Sequence, residues 1–148
     1  MARIFTPTRT PTRLPGTALL NQDVATLLEL GEAVQRGFPR ATLNNLAAHL
    51  GLPLGSLLDL VSLSPRTYHA HRRQDRPLTP EVSARLFHLA RVIDTAEAYF
   101  GDPAAAHAWL QTPRATFGDR NPLAFALLPG GAEYVTTLLA RLEHGIFT

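Results

Sequence analysis

The chain has 148 residues, 45% of them hydrophobic, enough to build one or two small domains with a true core. It has no cysteine, which excludes disulfide frameworks, thiolate metal sites and thiol nucleophiles. All 14 basic residues are arginine and they are unevenly spread: residues 1–76 hold nine Arg against five acids, a formal +4, and residues 77–148 hold five Arg against seven acids, −2. The N-terminal half is therefore the half suited to a polyanion.

Met1 to Leu20 carries Arg3, Arg9 and Arg13 and no acid. Pro7, Pro11 and Pro15 block a helix there, and residues 1–22 are expected to form a flexible basic arm or a leader without a role. No apolar stretch marks a secretory signal. Ala41 to Leu58 is uncharged, but Asn, His, Gly and Pro interrupt it, so it is no membrane span. A cytoplasmic location is the default expectation.

From Asp23, a plausible N-cap, the pattern turns helical, with Val24, Leu27, Leu28, Gly31 and Val34 expected on the inward face. Gly37-Phe38-Pro39 reads as a stop. A second helix follows, striped by Leu43, Leu46, Ala47 and Leu50 and ended by Gly51. A short helix over 54–60 and a turn at 61–63 lead to Ser64-Pro65, a cap followed by a first-turn proline. The helix it opens runs to about Gln74. Two short helices joined by a tight turn, the second rich in Arg, form a helix-turn-helix signature.

Thr79-Pro80 repeats that start and opens a long helix to about Phe100, with Val82, Leu86, Leu89, Ile93 and Ala96 inward. Asp102-Pro103 begins another, carrying Trp109, most simply a core residue. A loop with Pro113, Gly118 and Pro122 precedes a short apolar turn over 123–128. The last helix spans about Gly130 to His144, striped by Val135, Leu138, Leu139 and Leu142. No strand pattern competes. The fold expectation is all-α: an arm over 1–22, a helix-turn-helix domain over 23–76 and a second helical domain over 77–148.

On the arginine-bearing helix, a step of about 100° per residue puts Arg66, His69, Ala70 and Arg73 on one face, with Tyr68 opposite as an anchor. That face suits a DNA major groove, where Arg bonds guanine with two hydrogen bonds. Arg72, Arg76 and the capped helix start suit phosphates. The bland alternative is a solvated polar helix. His69 and His71 point about 200° apart and cannot share an ion. His49, His88, His107 and His144 have no carboxylate spacing that suggests a site, so neither metal nor cofactor is expected. No nucleophile elbow, phosphate loop or carboxylate pair is present, which argues against an enzyme. The closing Gly145-Ile146-Phe147 either meets a partner or folds back on the last turn.

The stretches SPRTYHAHRR (64–73), LTPEVSARLFHLARV (78–92), AWLQTP (108–113), GDRNPLAFAL (118–127) and GGAEYVTTLLARLEHGIF (130–147) resemble the antitoxins of the Xre/MbcA/ParS group, partners of RES-domain toxins. The resemblance covers Gly37 to the end. It implies an Xre-like helix-turn-helix domain that dimerises and binds its own operator, followed by a helical toxin-binding domain. It also implies a partner toxin, similar in fold to ADP-ribosyltransferases and consuming NAD, whose active-site cleft the antitoxin's C-terminal end blocks. Carried onto this chain, the DNA-facing candidates are Arg66, Thr67, His69 and Arg73, to which the reading of the helix itself adds Arg72. The toxin-facing candidates are Arg141, Glu143, His144, Gly145, Ile146, Phe147 and Thr148. The chain departs from the family pattern at Leu128, where a capping Thr is usual, at Ala124, where an acid is common, and in its N-terminal arm. The alternative function is a stand-alone helix-turn-helix transcriptional regulator.

Overall fold

The computed structural model describes residue 14 and residues 16–145. Among them the elements are α1 (Leu27–Arg36), α2 (Ala41–Leu50), α3 (Leu54–Leu60), α4 (Pro65–Arg73), α5 (Pro80–Phe100), α6 (Pro103–Gln111), a 3-10 turn at Ala115–Phe117, α7 (Pro122–Ala126) and α8 (Gly131–Glu143). The architecture is all-α.

The helix starts follow from local chemistry. Ser64, Thr79, Asp102 and Asn121 each place a side-chain oxygen on the free amides of a first turn, and each is followed by proline. Proline has no amide hydrogen to leave unpaired there, and its φ is already helical. α8 lacks such a cap: Gly130 stands at its N-cap with no side-chain hydrogen bond, as Leu128 in place of a capping residue implies. Gly131 is required for another reason, because a Cβ there would lie 1.9 Å from the Phe125 carbonyl oxygen. α7 and α8 approach each other through that missing side chain.

α5 is the axis of the molecule. Val82, Leu86, Leu89, Ile93 and Ala96 are all buried on it, as their spacing predicts, and it packs against α1, α6, α7 and α8. The helix-turn-helix part is sewn to α5 at its base. The Leu78 amide donates to the Phe38 carbonyl at 2.9 Å, and the buried Phe38 amide donates to Ser83 Oγ at 2.9 Å. Gly37, at φ +84, brings its backbone against Leu78, whose carbonyl oxygen would lie 2.0 Å from any Cβ. One hydrophobic cluster therefore takes in residues on both sides of this junction, Tyr68 and Leu78 among them.

Two expectations for the N-terminal part are corrected. The segment read as a flexible arm over 1–22 is folded at its end: Thr17 and Leu20 are buried, and the Gly16 amide donates to Asp94 on α5 at 3.2 Å. Its earlier residues, 1–13 and 15, lie outside the described ones. α1 begins later than expected, with Thr26 rather than Asp23 as its N-cap. It is also rotated, so that Leu30 and Ala33 face inward while Leu27 and Leu28 remain 76% and 73% exposed. Val24 is buried from the preceding turn, not from the helix. Val24 therefore contributes a core contact from outside the helical period, and it does not set the register of the α1 stripe.

Candidate nucleic-acid face and partner-binding end

α4 is held so that one side is anchored and the other is free. Ser64 Oγ accepts from the Thr67 amide at 3.1 Å and donates to Thr67 Oγ1 at 2.8 Å. Tyr68 is buried and its hydroxyl accepts from Asn44 of α2 at 3.3 Å. His71 Nδ1 lies 3.1 Å from the Pro77 carbonyl. The turn before α4 is pinned from α5, where the Arg85 guanidinium donates to the Val61 carbonyl at 3.0 Å. These contacts fix the helix in rotation as well as in place, which a reading head in a groove requires.

Arg66, His69 and Arg73 are exposed on the side away from Tyr68, and Thr67 and Arg72 are exposed at its flanks. Thr67 already shares its hydroxyl with the cap. His69 packs its ring edge-on to Tyr68, with centroids 5.4 Å apart. Arg76 is exposed just beyond. Arg40 is paired with Asp75, just beyond α4, at 2.8 Å in an exposed contact, which offsets part of the charge beside that helix. Guanidiniums in water on one helix, with the helix start uncovered, form a cationic surface with no acidic partner on α4 itself.

At the other end of the molecule, α8 buries Gly131, Ala132, Val135 and Leu139. Leu138 and Leu142, expected on the same stripe, are half-buried. Arg141, Glu143, His144 and Gly145 are exposed. Ile146, Phe147 and Thr148 lie outside the described residues. Sequence reasoning missed Tyr134, which is 48% exposed. It sits seven residues before Arg141, and the two line one concavity with Thr137 and Leu138. Seven residues are two helical turns, so the spacing that would have found Tyr134 was present in the sequence.

Behind Tyr134 runs a chain of aromatic contacts through Phe125 and Phe117 to Trp109, with successive centroids 5.5, 5.0 and 6.1 Å apart. Trp109 is half-buried and packs against the core, with the Arg114 guanidinium 5.5 Å over its ring. The exposed face of α8 is thus backed by a rigid wall.

The fold also joins residues that sequence spacing kept apart. His49, Glu97 and His107 meet where α2, α5 and α6 converge. The expectation that these histidines have no carboxylate was drawn from neighbours along the chain, and it is corrected by a carboxylate 48 residues from one and 10 from the other. No described helix is long and apolar enough to cross a membrane.

Comparison with known proteins matches both halves. Residues 29–91 fit the antitoxin Xre-like helix-turn-helix domain, and residues 95–145 fit the antitoxin Xre/MbcA/ParS C-terminal toxin-binding domain. The two matches meet inside α5. An antitoxin Xre of Yersinia enterocolitica is 31% identical over 120 residues, covering 80% of this chain and 81% of that protein. One from Pseudomonas putida is 32% identical over 80 residues, 54% of this chain and 50% of its own. One from Photorhabdus laumondii is 25% identical over 145 residues, 97% and 98% of the two chains.

Proposed function

The chain belongs to the Xre antitoxin family, and we propose that it neutralises a RES-type, NAD-consuming toxin by covering that enzyme's active-site cleft while repressing its own operon through α4. It is an antitoxin of a toxin–antitoxin system, a binding protein and not an enzyme. The observation that carries the finer reading is the division of the molecule: an exposed arginine face on α4 and an exposed Tyr134–Arg141 face on α8.

Occlusion needs surface and rigidity, not chemistry. An aromatic anchor on a helix that is already ordered loses little entropy on binding, and slow dissociation follows from such preorganisation. Arg141 shares that face, Glu143, His144 and Gly145 are assigned to the toxin-facing end of α8, and Ile146, Phe147 and Thr148 are assigned as the tip that enters the cleft. For DNA, Arg66, His69 and Arg73 read base edges, while Arg72, Thr67 and the start of α4 hold phosphates.

Operator reading is assigned to a homodimer. A two-fold pair of helix-turn-helix units matches a palindromic site. The surface that supports pairing is the exposed Leu27, Leu28 and Gly31 on α1. Its rim carries Glu32 at one position and Arg36 one turn on, so two copies packed antiparallel place opposite charges near each other.

The deciding experiment is co-expression with the neighbouring gene product. Co-purification and restored growth in cells carrying the RES toxin support the assignment. Operator binding with no toxin partner would instead identify a stand-alone regulator.

A further inference from the structure

We propose that His49, Glu97 and His107 form a zinc site that ties the DNA-binding helices to the toxin-binding domain. His49 lies in the last turn of α2, Glu97 in the last turn of α5, and His107 on α6. Nε2 of His49 is 2.5 Å from Glu97 Oε1, and Nε2 of His107 is 2.6 Å from the same oxygen. The three candidate ligand atoms all lie within 4.8 Å of one another. The two rings meet edge to face with centroids 5.2 Å apart, and both Nε2 atoms lie against the one Glu97 oxygen.

The donor set is two imidazoles and one carboxylate, which suits a borderline divalent ion, zinc above all. In a tetrahedral zinc site, bonds of about 2.0–2.1 Å put ligand atoms roughly 3.3 Å apart. The two nitrogen–oxygen spacings here are tighter, and small rotamer adjustments open them. Those adjustments are available because the side chains of His49, Glu97 and His107 are 34%, 18% and 15% exposed, not locked in the core. The fourth position falls to water on the side of His49, the most open of the three.

The setting is already held in register by a second contact. The Gln111 amide on α6 donates to the Leu50 carbonyl at the end of α2, at 3.2 Å. The ligands thus come from helices whose mutual position does not depend on the ion. Zinc adds a cross-link between residue 49 and residues 97 and 107, on either side of the long stretch that carries α3 and α4. Its expected effect is greater stability of that seam.

The test uses the full-length, tag-free chain. After equilibration with zinc chloride and gel filtration, elemental analysis is expected to find one zinc per chain. Cobalt(II) is expected to give the visible absorption of a four-coordinate site, displaced by zinc. In the wild-type protein, imidazole 15N spectra should show the Nε2 signals of His49 and His107 moving on zinc addition. H49Q and H107Q should each weaken binding about ten-fold or more, and H144Q should leave it unchanged. Absence of stoichiometric binding overturns the proposal and leaves two hydrogen bonds to one carboxylate. So does a shift confined to His69 or His71, or zinc affinity unchanged in H49Q and H107Q.

Discussion

The amide of Phe38 donates to the hydroxyl of Ser83 at 2.9 Å, in a buried contact spanning 45 residues of chain. Phe38 follows the stop of α1, and Ser83 lies in the first turn of α5. This single bond satisfies a buried amide that α1 can no longer serve and couples the helix-turn-helix to the central helix. Ser83→Ala leaves that amide without a partner. The expected cost is about 1–3 kcal/mol, read as a lower urea midpoint at unchanged slope. A loss below a few tenths of a kcal/mol would show that water replaces the hydroxyl.

On α4, Arg66→Ala with Arg73→Ala is expected to weaken operator binding and to lower its salt slope by about one to two units. Both side chains are exposed, so the fold should persist by circular dichroism. Equal affinity across a salt titration would remove this face from the interface.

At the other end, deleting residues 146–148 is expected to abolish toxin neutralisation while sparing DNA binding. Tyr134→Ala tests the described part of the same surface. Truncating an exposed aromatic anchor should cost about 2 kcal/mol or more of toxin affinity. Full growth rescue by both variants would reject occlusion from α8.

Leu27→Glu with Leu28→Glu is expected to shift the protein to monomers in light scattering and to weaken operator binding without touching α4. Neither leucine is part of the core, so thermal stability of the monomer should hold. A variant that remains dimeric would place the two-fold contact elsewhere.

The imidazole of His88 is held below its usual value of about 6.5, first by burial and then by the Arg91 guanidinium. The unfolded chain therefore takes up this proton more readily than the folded one. The stability that the neutral ring contributes is present above about pH 6.5 and is lost as pH falls towards the lower folded value. His88 as a whole is exposed, so solvent screens the effect and the slope is shallow. Comparing urea midpoints at about pH 7.5 and about pH 5.5, the fall should be smaller in His88→Gln than in the wild type. An equal fall in both would assign the pH dependence to other groups.

Much of this molecule is legible locally. Helix starts at Ser64, Thr79 and Asp102, the inward stripe of α5 and the anchoring of Tyr68 all follow from interactions within one or two turns. A cap reaches only its own first turn, and a helical stripe repeats regardless of what covers it. The arginines of α4 are legible as a cationic face for the same reason.

What the chain's order alone determined is most of the helices, the caps at Ser64, Thr79 and Asp102, and the sign of each half's charge, because those depend on neighbours a few residues apart. What only the tertiary structure decided is which face of α1 turns inward, that Thr17 and Leu20 join the core, that Tyr134 stands open beside Arg141, and that His49, Glu97 and His107 meet. Each of these depends on packing between residues distant in sequence. A local apolar pattern records that a side chain can be buried, and only the shape of the neighbouring helices settles whether it is.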